Sequence, residues 1–383
     1  MSKALQFSNR IQDLHSSPIR DILSIIDREG MISFAGGLPS PDSFPFLSCE
    51  QIPNHIMQYG PSEGESALRK RIAEELESIG LCCKPDQILI LSGSQQGIDL
   101  VSKLFIDSGT CIALEVPTYL AALQVFRFFG AQFTTLDPQQ PEHLLRIPQR
   151  PAFVYTIPTF QNPTGYCYSH EERQSLASLC DEANIPIFED DPYRDLVYDS
   201  CIRTPICSYL KRASWMYQGS FSKSLAPGLR LGFMAVSSNL ISYFTSLKQA
   251  ADLHSSRISQ WLVLNQLNSI SREKRTTELI NHYRCKRDAF EHYLQRYFND
   301  IASWQTPAGG LFYWLQLKKP QDTRRLLPLA IDQNVAFMPG EPFFPPVIET
   351  SQNPNLGTLR LNFSHASDSE AERGLSKLAS LIR

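Results

Sequence analysis

From about Ser62 to Leu240 this chain of 383 residues alternates short apolar runs with stretches of helical period, and no other feature constrains its fold as much. Residues 87–91, 111–115, 152–157, 185–189, 215–221 and 232–236 are compact segments that read as strands. Between them, 66–80, 95–105, 119–129 and 169–183 read as helices. Leu68, Ile72, Leu76 and Ile79 fall on one helical stripe that ends at Gly80, and Ser169-His170-Glu171-Glu172 is a capping box. Strands this short and apolar are buried on both faces. Joined through helices, they build a mainly parallel sheet covered on both sides, an α/β fold.

The pattern changes after about Arg272. A long charged helix over 276–297, an alternating strand over 310–317, strands at 335–338 and 358–363, and a final helix capped by Ser367-Asp368-Ser369-Glu370 read as a smaller α+β unit. The segment before Met31 reads as an arm with one short helix over 19–26. A strand over 31–35 then enters the forced turn Gly36-Gly37-Leu38-Pro39. The chain is too long for one small core. The expected division is an arm and part of the small domain over 1–45, a large domain over 46–272 and a small domain over 273–383.

Composition narrows the function classes. A net charge of −3 and a pI near 6.3 argue against a nucleic-acid surface. No apolar stretch reaches the length of a membrane span, and the N-terminus lacks a signal-peptide core. The nine cysteines form no C-x-x-C pair and read as reduced cytoplasmic thiols. The eight histidines are dispersed, so no metal is expected.

Several motifs sit at expected strand ends, where open α/β sheets collect ligands. Ser220-Phe221-Ser222-Lys223, followed by Gly228-Leu229-Arg230-Leu231-Gly232, places a lysine among hydroxyls and ahead of an arginine. That set suits an aldehyde cofactor held as a Schiff base, with its phosphate gripped alongside. Ser92-Gly93-Ser94-Gln95 opens a helix, where free amides favour a phosphate; its plainer reading is an N-cap turn. Gln161-Asn162-Pro163-Thr164-Gly165 puts an amide donor on a rigid turn, or is a turn and nothing else. In Glu189-Asp190-Asp191-Pro192-Tyr193, exposure of two acids is the expected relief of repulsion, leaving one buried acid to face a cation. Tyr119 could stack on a flat cofactor or simply pack in the core. Arg360, on an alternating strand and pointing away from its apolar side, could hold a carboxylate bidentately or lie on the surface.

Taken in order, these residues resemble the pyridoxal-phosphate enzymes of aminotransferase fold type I, in the class I/II branch. The likeness runs from Ser17-Pro18-Ile19-Arg20 to Arg360. In pattern the chain is similar to the 2-aminoadipate and kynurenine aminotransferases through I-S-F-A-G-G-L-P, Q-Y-G-P-S-E-G, S-G-S-Q-Q, Q-N-P-T-G, E-D-D-P-Y, S-F-S-K, P-G-L-R-L-G and V-A-F-M-P-G. The resemblance implies a large domain with a mainly parallel seven-stranded sheet flanked by helices, a smaller α+β domain, and pyridoxal 5'-phosphate as cofactor. It implies that Lys223 forms the Schiff base and shuttles the proton, that Asp190 pairs with the pyridine nitrogen, and that Tyr119 stacks on the ring. Asn162 and Tyr193 would bond the ring's phenolic oxygen. Ser94, Gln95, Ser220, Ser222 and Arg230 would bind the phosphate, with Tyr59 reaching it from the partner of a homodimer. Arg360 would hold the substrate carboxylate beside Gly37 and Asn162.

The implied reaction is ping-pong transfer of an amino group to a 2-oxo acid such as 2-oxoglutarate. Candidate donors are 2-aminoadipate, aromatic or branched-chain amino acids. Arg20, in the arm, either pairs with a distal substrate carboxylate or is solvated. Two alternatives stay open: a lyase, decarboxylase or racemase on the same fold, and the effector domain of a winged-helix transcriptional regulator. The short arm before Ile32 and the negative net charge weigh against the second.

Overall fold

The computed structural model describes residues 7–8, 10–11, 28–48, 52–345 and 356–383. Arg20 and the helix expected over 19–26 lie outside the described residues. In chain order, the first part comprises β1 (Ile32–Ser33), α1 (Ser66–Ser78), β2 (Ile88–Leu91), α2 (Ser94–Phe105), β3 (Cys111–Glu115), α3 (Leu120–Phe128), β4 (Gln132–Leu136) and β5 (Val154–Thr156). It continues through α4 (His170–Ala183), β6 (Ile187–Asp190), β7 (Trp215–Ser220), β8 (Gly232–Val236), α5 (Ile241–Asp252) and α6 (Arg257–Leu267).

Seven of these strands form one sheet in the order β2-β8-β7-β6-β5-β3-β4. Neighbours from β7 through β4 pair in parallel, whereas β8 runs antiparallel to both β2 and β7. Strand alternation sends side chains to opposite faces. Ile88 and Ile90 join the cluster built with α1, α4 and α6, through Leu68, Leu176 and Val263. Leu89 and Leu91 join the cluster built with α2, α3 and α5, through Ile98, Phe126 and Phe244. Both faces are covered, as a parallel sheet requires.

The C-terminal part comprises α7 (Arg272–Phe298), β9 (Ala302–Trp304), β10 (Phe312–Leu317), α8 (Thr323–Asp332), β11 (Val335–Ala336), β12 (Met338–Pro339), β13 (Thr358–Asn362) and α9 (Asp368–Ile382). Strands β12-β13-β10-β9 form an antiparallel sheet, and β1 pairs in parallel with β11. A cluster containing Phe34, Tyr283, Phe290, Tyr313, Leu361 and Leu375 fixes the turn after β1 to this unit.

Five elements were not apparent in the sequence. Edge strand β4 has exposed and half-buried residues ahead of Leu136, so it carries no apolar run. Helix α8 contains Pro328, which reads as a breaker. Helices α5 and α6 bury only a few hydrophobic side chains each. Strand β9 is three residues long. Among the described residues, no helix is long and apolar enough to cross a membrane, and no cluster of His, Cys, Asp and Glu is arranged to hold a metal.

Candidate active site

Parallel strands deliver their following residues to one end of the sheet. The segments after β2, β3, β5, β6 and β7 converge there on a cavity of about 310 Å³. Ser94, Gln95, Tyr119, Asn162, Asp190 and Tyr193 line it, together with Ser220, Ser222, Lys223 and Arg230. All ten residues assigned by resemblance to the cofactor, apart from Tyr59, thus face one space.

The local reasons differ by segment. Gly93 takes φ +84°, which lets β2 turn directly into α2 and leaves the first helical amides unpaired at Ser94 and Gln95. A Cβ on Gly93 would lie 2.6 Å from Arg230 Nη2, so that guanidinium packs against bare backbone. Ser220 Oγ accepts from the Ser222 amide at 3.2 Å, which tightens the turn into Lys223. Lys223 Nζ donates to the Gly37 carbonyl at 2.7 Å, tying the turn after β1 to the lysine of the cavity. Asp190 ends β6 and is buried; it accepts from Tyr155 Oη and Gln218 Nε2, each at 2.9 Å. Neither of those supports was recognised from the sequence. Gln218 had a signal: it is a polar residue inside the buried strand β7.

Arg360 enters from the other sheet. It sits mid-β13, opposite Trp314 and Met338. Its Nη1 donates to Asn162 Oδ1 at 2.8 Å and its Nη2 to the Ala35 carbonyl at 2.6 Å. Its guanidinium lies 4.2 Å from the Phe312 ring centroid. All five β13 residues are buried, so Arg360 is not the surface arginine that its alternating strand also allowed. Arg360 faces the junction of the two sheets, because β13 is central in its sheet and covered on both sides.

The class I and II aminotransferase family model matches residues 49–378. The chain belongs to the class I and II aminotransferases. These are pyridoxal-phosphate enzymes of fold type I. This aminotransferase is 34% identical to the 2-aminoadipate transaminase of Thermus thermophilus, over 97% of this chain and 94% of that one. It is 32% identical to aromatic-amino-acid aminotransferase 1 of Thermococcus litoralis, over 98% and 94%. Among solved structures, the α-aminoadipate aminotransferase of Thermus thermophilus, complexed with N-(5'-phosphopyridoxyl)-L-leucine, superposes with a TM-score of 0.88 at 32% identity. That superposition covers 98% of this chain and 97% of the other.

The charges in the cleft of this aminotransferase suit that cofactor. Burial, with the positive charges of Arg360 and Arg230 nearby, pulls the Lys223 amine down to about 8. A neutral amine is the form that condenses with an aldehyde. Burial raises Asp190 to about 6 despite its two hydrogen bonds. A protonated ring nitrogen beside it would restore the ionised carboxylate. Burial also lowers Arg360 to about 10, and its Nε has no hydrogen-bond partner. A buried guanidinium with a free donor calls for an anion. The residues present therefore fit pyridoxal phosphate together with a carboxylate-bearing substrate.

The acid run departs from expectation. Glu189, Asp190 and Asp191 are all buried, at 0%, 2% and 3% exposure, instead of two being exposed. Alternation sends them to different surroundings. Asp191 pairs with Arg194 Nη1 at 2.8 Å and accepts from Tyr217 Oη at 2.9 Å. Glu189 accepts from the Cys207 amide at 3.0 Å and is pushed up to about 7 by burial and by Asp191.

Tyr59 does not line the cavity of its own chain; its residue is 76% exposed. Its backbone is nonetheless held, because Arg257 Nη1 donates to the carbonyls of Gln58 and Tyr59 at 2.9 and 3.2 Å.

Proposed function

We propose that this aminotransferase moves the amino group of an α-amino acid to 2-oxoglutarate in a ping-pong cycle, with 2-aminoadipate, aromatic and branched-chain amino acids as candidate donors. The observation that carries the reading is Arg360, a buried guanidinium with an unbonded Nε, set against Asn162 beside a lysine of lowered pKa. The named relatives support the donor classes.

Bound pyridoxal phosphate supplies an aldehyde that condenses with amines and a ring that accepts an electron pair from the substrate Cα. Lys223 would be the amine that holds the cofactor. With a substrate amine bound in its place, the freed Nζ would be the base that takes the Cα proton and the acid that gives it back. A positioned acid–base group of this kind contributes roughly 10²–10⁴-fold. Asp190, held in place by Tyr155 and Gln218, would keep the ring nitrogen protonated. Asn162 and Tyr193 would bond the phenolic oxygen, and Tyr119 would cover the ring. Ser94, Gln95, Ser220, Ser222 and Arg230, which line the same cavity, would take the phosphate. Arg360, with Gly37 and Asn162 beside it, grips the substrate carboxylate. A carboxylate held this way is kept from leaving as carbon dioxide, which favours transamination over decarboxylation.

We also propose that two chains share each site, with Tyr59 reaching the partner's phosphate. The exposed ring on a backbone clamped by Arg257 supports this reading.

The test is a half-reaction. Cofactor-loaded enzyme mixed with an amino acid alone should release one equivalent of 2-oxo acid and lose the aldehyde absorbance. Adding 2-oxoglutarate should restore that absorbance and yield glutamate. Release of carbon dioxide instead would point to a lyase.

A further inference from the structure

Two cysteines outside the cofactor cavity lie on two adjoining segments, where Cys167 meets the backbone beside Cys201. Cys167 closes the loop that follows β5. The Gln161 amide donates to Tyr166 O at 2.8 Å and the Tyr168 amide to Pro158 O at 2.9 Å, so Asn162 rides on a folded-back segment with Cys167 at its base. Cys201 lies on the segment that follows Tyr193. Cys167 Sγ donates to the carbonyl oxygen of Ile202, the residue next to Cys201, at 3.3 Å, and both cysteines pack against the same apolar cluster. Both are free thiols and partly accessible.

A fully buried guanidinium flanks the pair. Arg173 donates to Pro158 O at 2.7 Å and to Tyr168 O and Thr204 O at 3.1 Å each, bracing both segments from within. Its Nη2 also lies 3.6 Å from Cys167 Sγ. A positive charge beside a partly exposed thiol is the setting of reactive cysteines. The Cys201 thiol, and then Arg173, lower the Cys167 thiol below its ordinary value, while Cys167 in turn raises Cys201. Cys167 is thus the attacking sulfur and Cys201 the resolving one.

We propose that Cys167 and Cys201 form a redox-active dithiol that closes to a disulfide on meeting a low-molecular-weight disulfide, clamping the Asn162 loop to the segment after Tyr193. The Cys167 thiolate attacks one sulfur of the reagent, forms a mixed disulfide and expels one thiolate. Cys201 loses its proton to solvent, attacks Cys167 Sγ and expels the second thiolate. Two protein thiols lose two electrons, and one reagent disulfide becomes two thiols. The clamp bears on the active site because Asn162 Nδ2 donates to Tyr193 Oη at 3.3 Å, and these residues sit on the two segments being joined.

The test uses the cofactor-loaded full chain and oxidised glutathione. Remaining thiols are alkylated and the digest is mapped by mass spectrometry. Over the time in which exposed Cys285 takes up glutathione, the peptides bearing Cys167 and Cys201 should become joined, and dithiothreitol should separate them. Cys201→Ser should stop at glutathione on Cys167, whereas Cys167→Ser should slow modification of Cys201 by about tenfold or more. Amide exchange over residues 160–168 should slow in the oxidised wild type. Separate alkylation of both cysteines, a lasting mixed disulfide on the wild type, or equal rates in the two variants would overturn the dithiol. Unchanged exchange in the bridged protein would overturn the clamp.

Discussion

Arg360 Nη1 donates to Asn162 Oδ1 at 2.8 Å, although one residue sits in the four-stranded sheet and the other on a loop of the seven-stranded sheet. The contact joins the proposed carboxylate grip to the proposed ring contact before substrate arrives. Asn162 has both ends of its amide engaged, since Nδ2 donates to Tyr193 Oη. Geometry of this kind reduces the ordering that binding must supply.

Replacing Arg360 by lysine should therefore cost more than a charge-conserving change suggests, because lysine cannot reproduce a two-armed fork stacked on Phe312. Hydrogen bonds to charged groups contribute about 1.5–3 kcal/mol. The expected loss in kcat/KM is about 10- to 150-fold, for amino acid and 2-oxo acid alike, with the absorbance of bound cofactor unchanged. Steady-state kinetics on both half-reactions measures it. Unaltered kcat/KM in either direction would remove Arg360 from the carboxylate site.

Cofactor uptake should depend on pH through Lys223. In the cofactor-free protein its amine titrates near 8, because burial, Arg360 and Arg230 all disfavour the ammonium. Below that value the charged form dominates and cannot attack an aldehyde. The rate of pyridoxal phosphate uptake should rise about tenfold per pH unit below 8 and level off above it. Stopped-flow absorbance would follow this. Lys223→Ala should show no such covalent uptake at any pH. A rate that climbed evenly to pH 10 would mean the amine is not depressed.

Gly97 tests the support behind Asp190. A Cβ there would fall 1.8 Å from Gln218 Oε1, the amide whose other end donates to Asp190. Gly97→Ala must displace Gln218. It should lower stability by about 1–3 kcal/mol and weaken cofactor retention. Gly228→Ala, with no atom within 4 Å of the new methyl, should do neither. Dialysis followed by cofactor absorbance, alongside thermal melts, separates the two variants. Full cofactor retention by Gly97→Ala would show that Gln218 does not matter to Asp190.

Shared sites predict complementation. Lys223→Ala and Tyr59→Ala should each be nearly inactive or weakened alone. When they are unfolded together and refolded, the mixed dimer holds one site in which both residues are intact. Activity should then recover toward a quarter of wild type, the share expected from random pairing with one good site per hybrid. Recovery no greater than the sum of the separate variants would place Tyr59 outside the partner's site.

Much of this was readable from local pattern. The strands at Cys111–Glu115 and Gly232–Val236 and the capping box at Ser169 appear where apolar runs and capping chemistry placed them, because each depends on residues a few positions apart. The motifs at strand ends were equally visible, since a parallel sheet brings successive strand ends to one side whatever their separation in the chain.

What the sequence determined by itself was the α/β class, the family likeness and the list of polar residues that could meet. Tertiary structure alone decided the burial of all three acids in Glu189-Asp190-Asp191, the seat of Arg360 between two sheets, the support of Asp190 by Gln218 and Tyr155, and the approach of Cys167 to the backbone beside Cys201. Hydrophobic period and capping act over a turn of chain, whereas burial and pairing depend on which distant segments the closed core presses together.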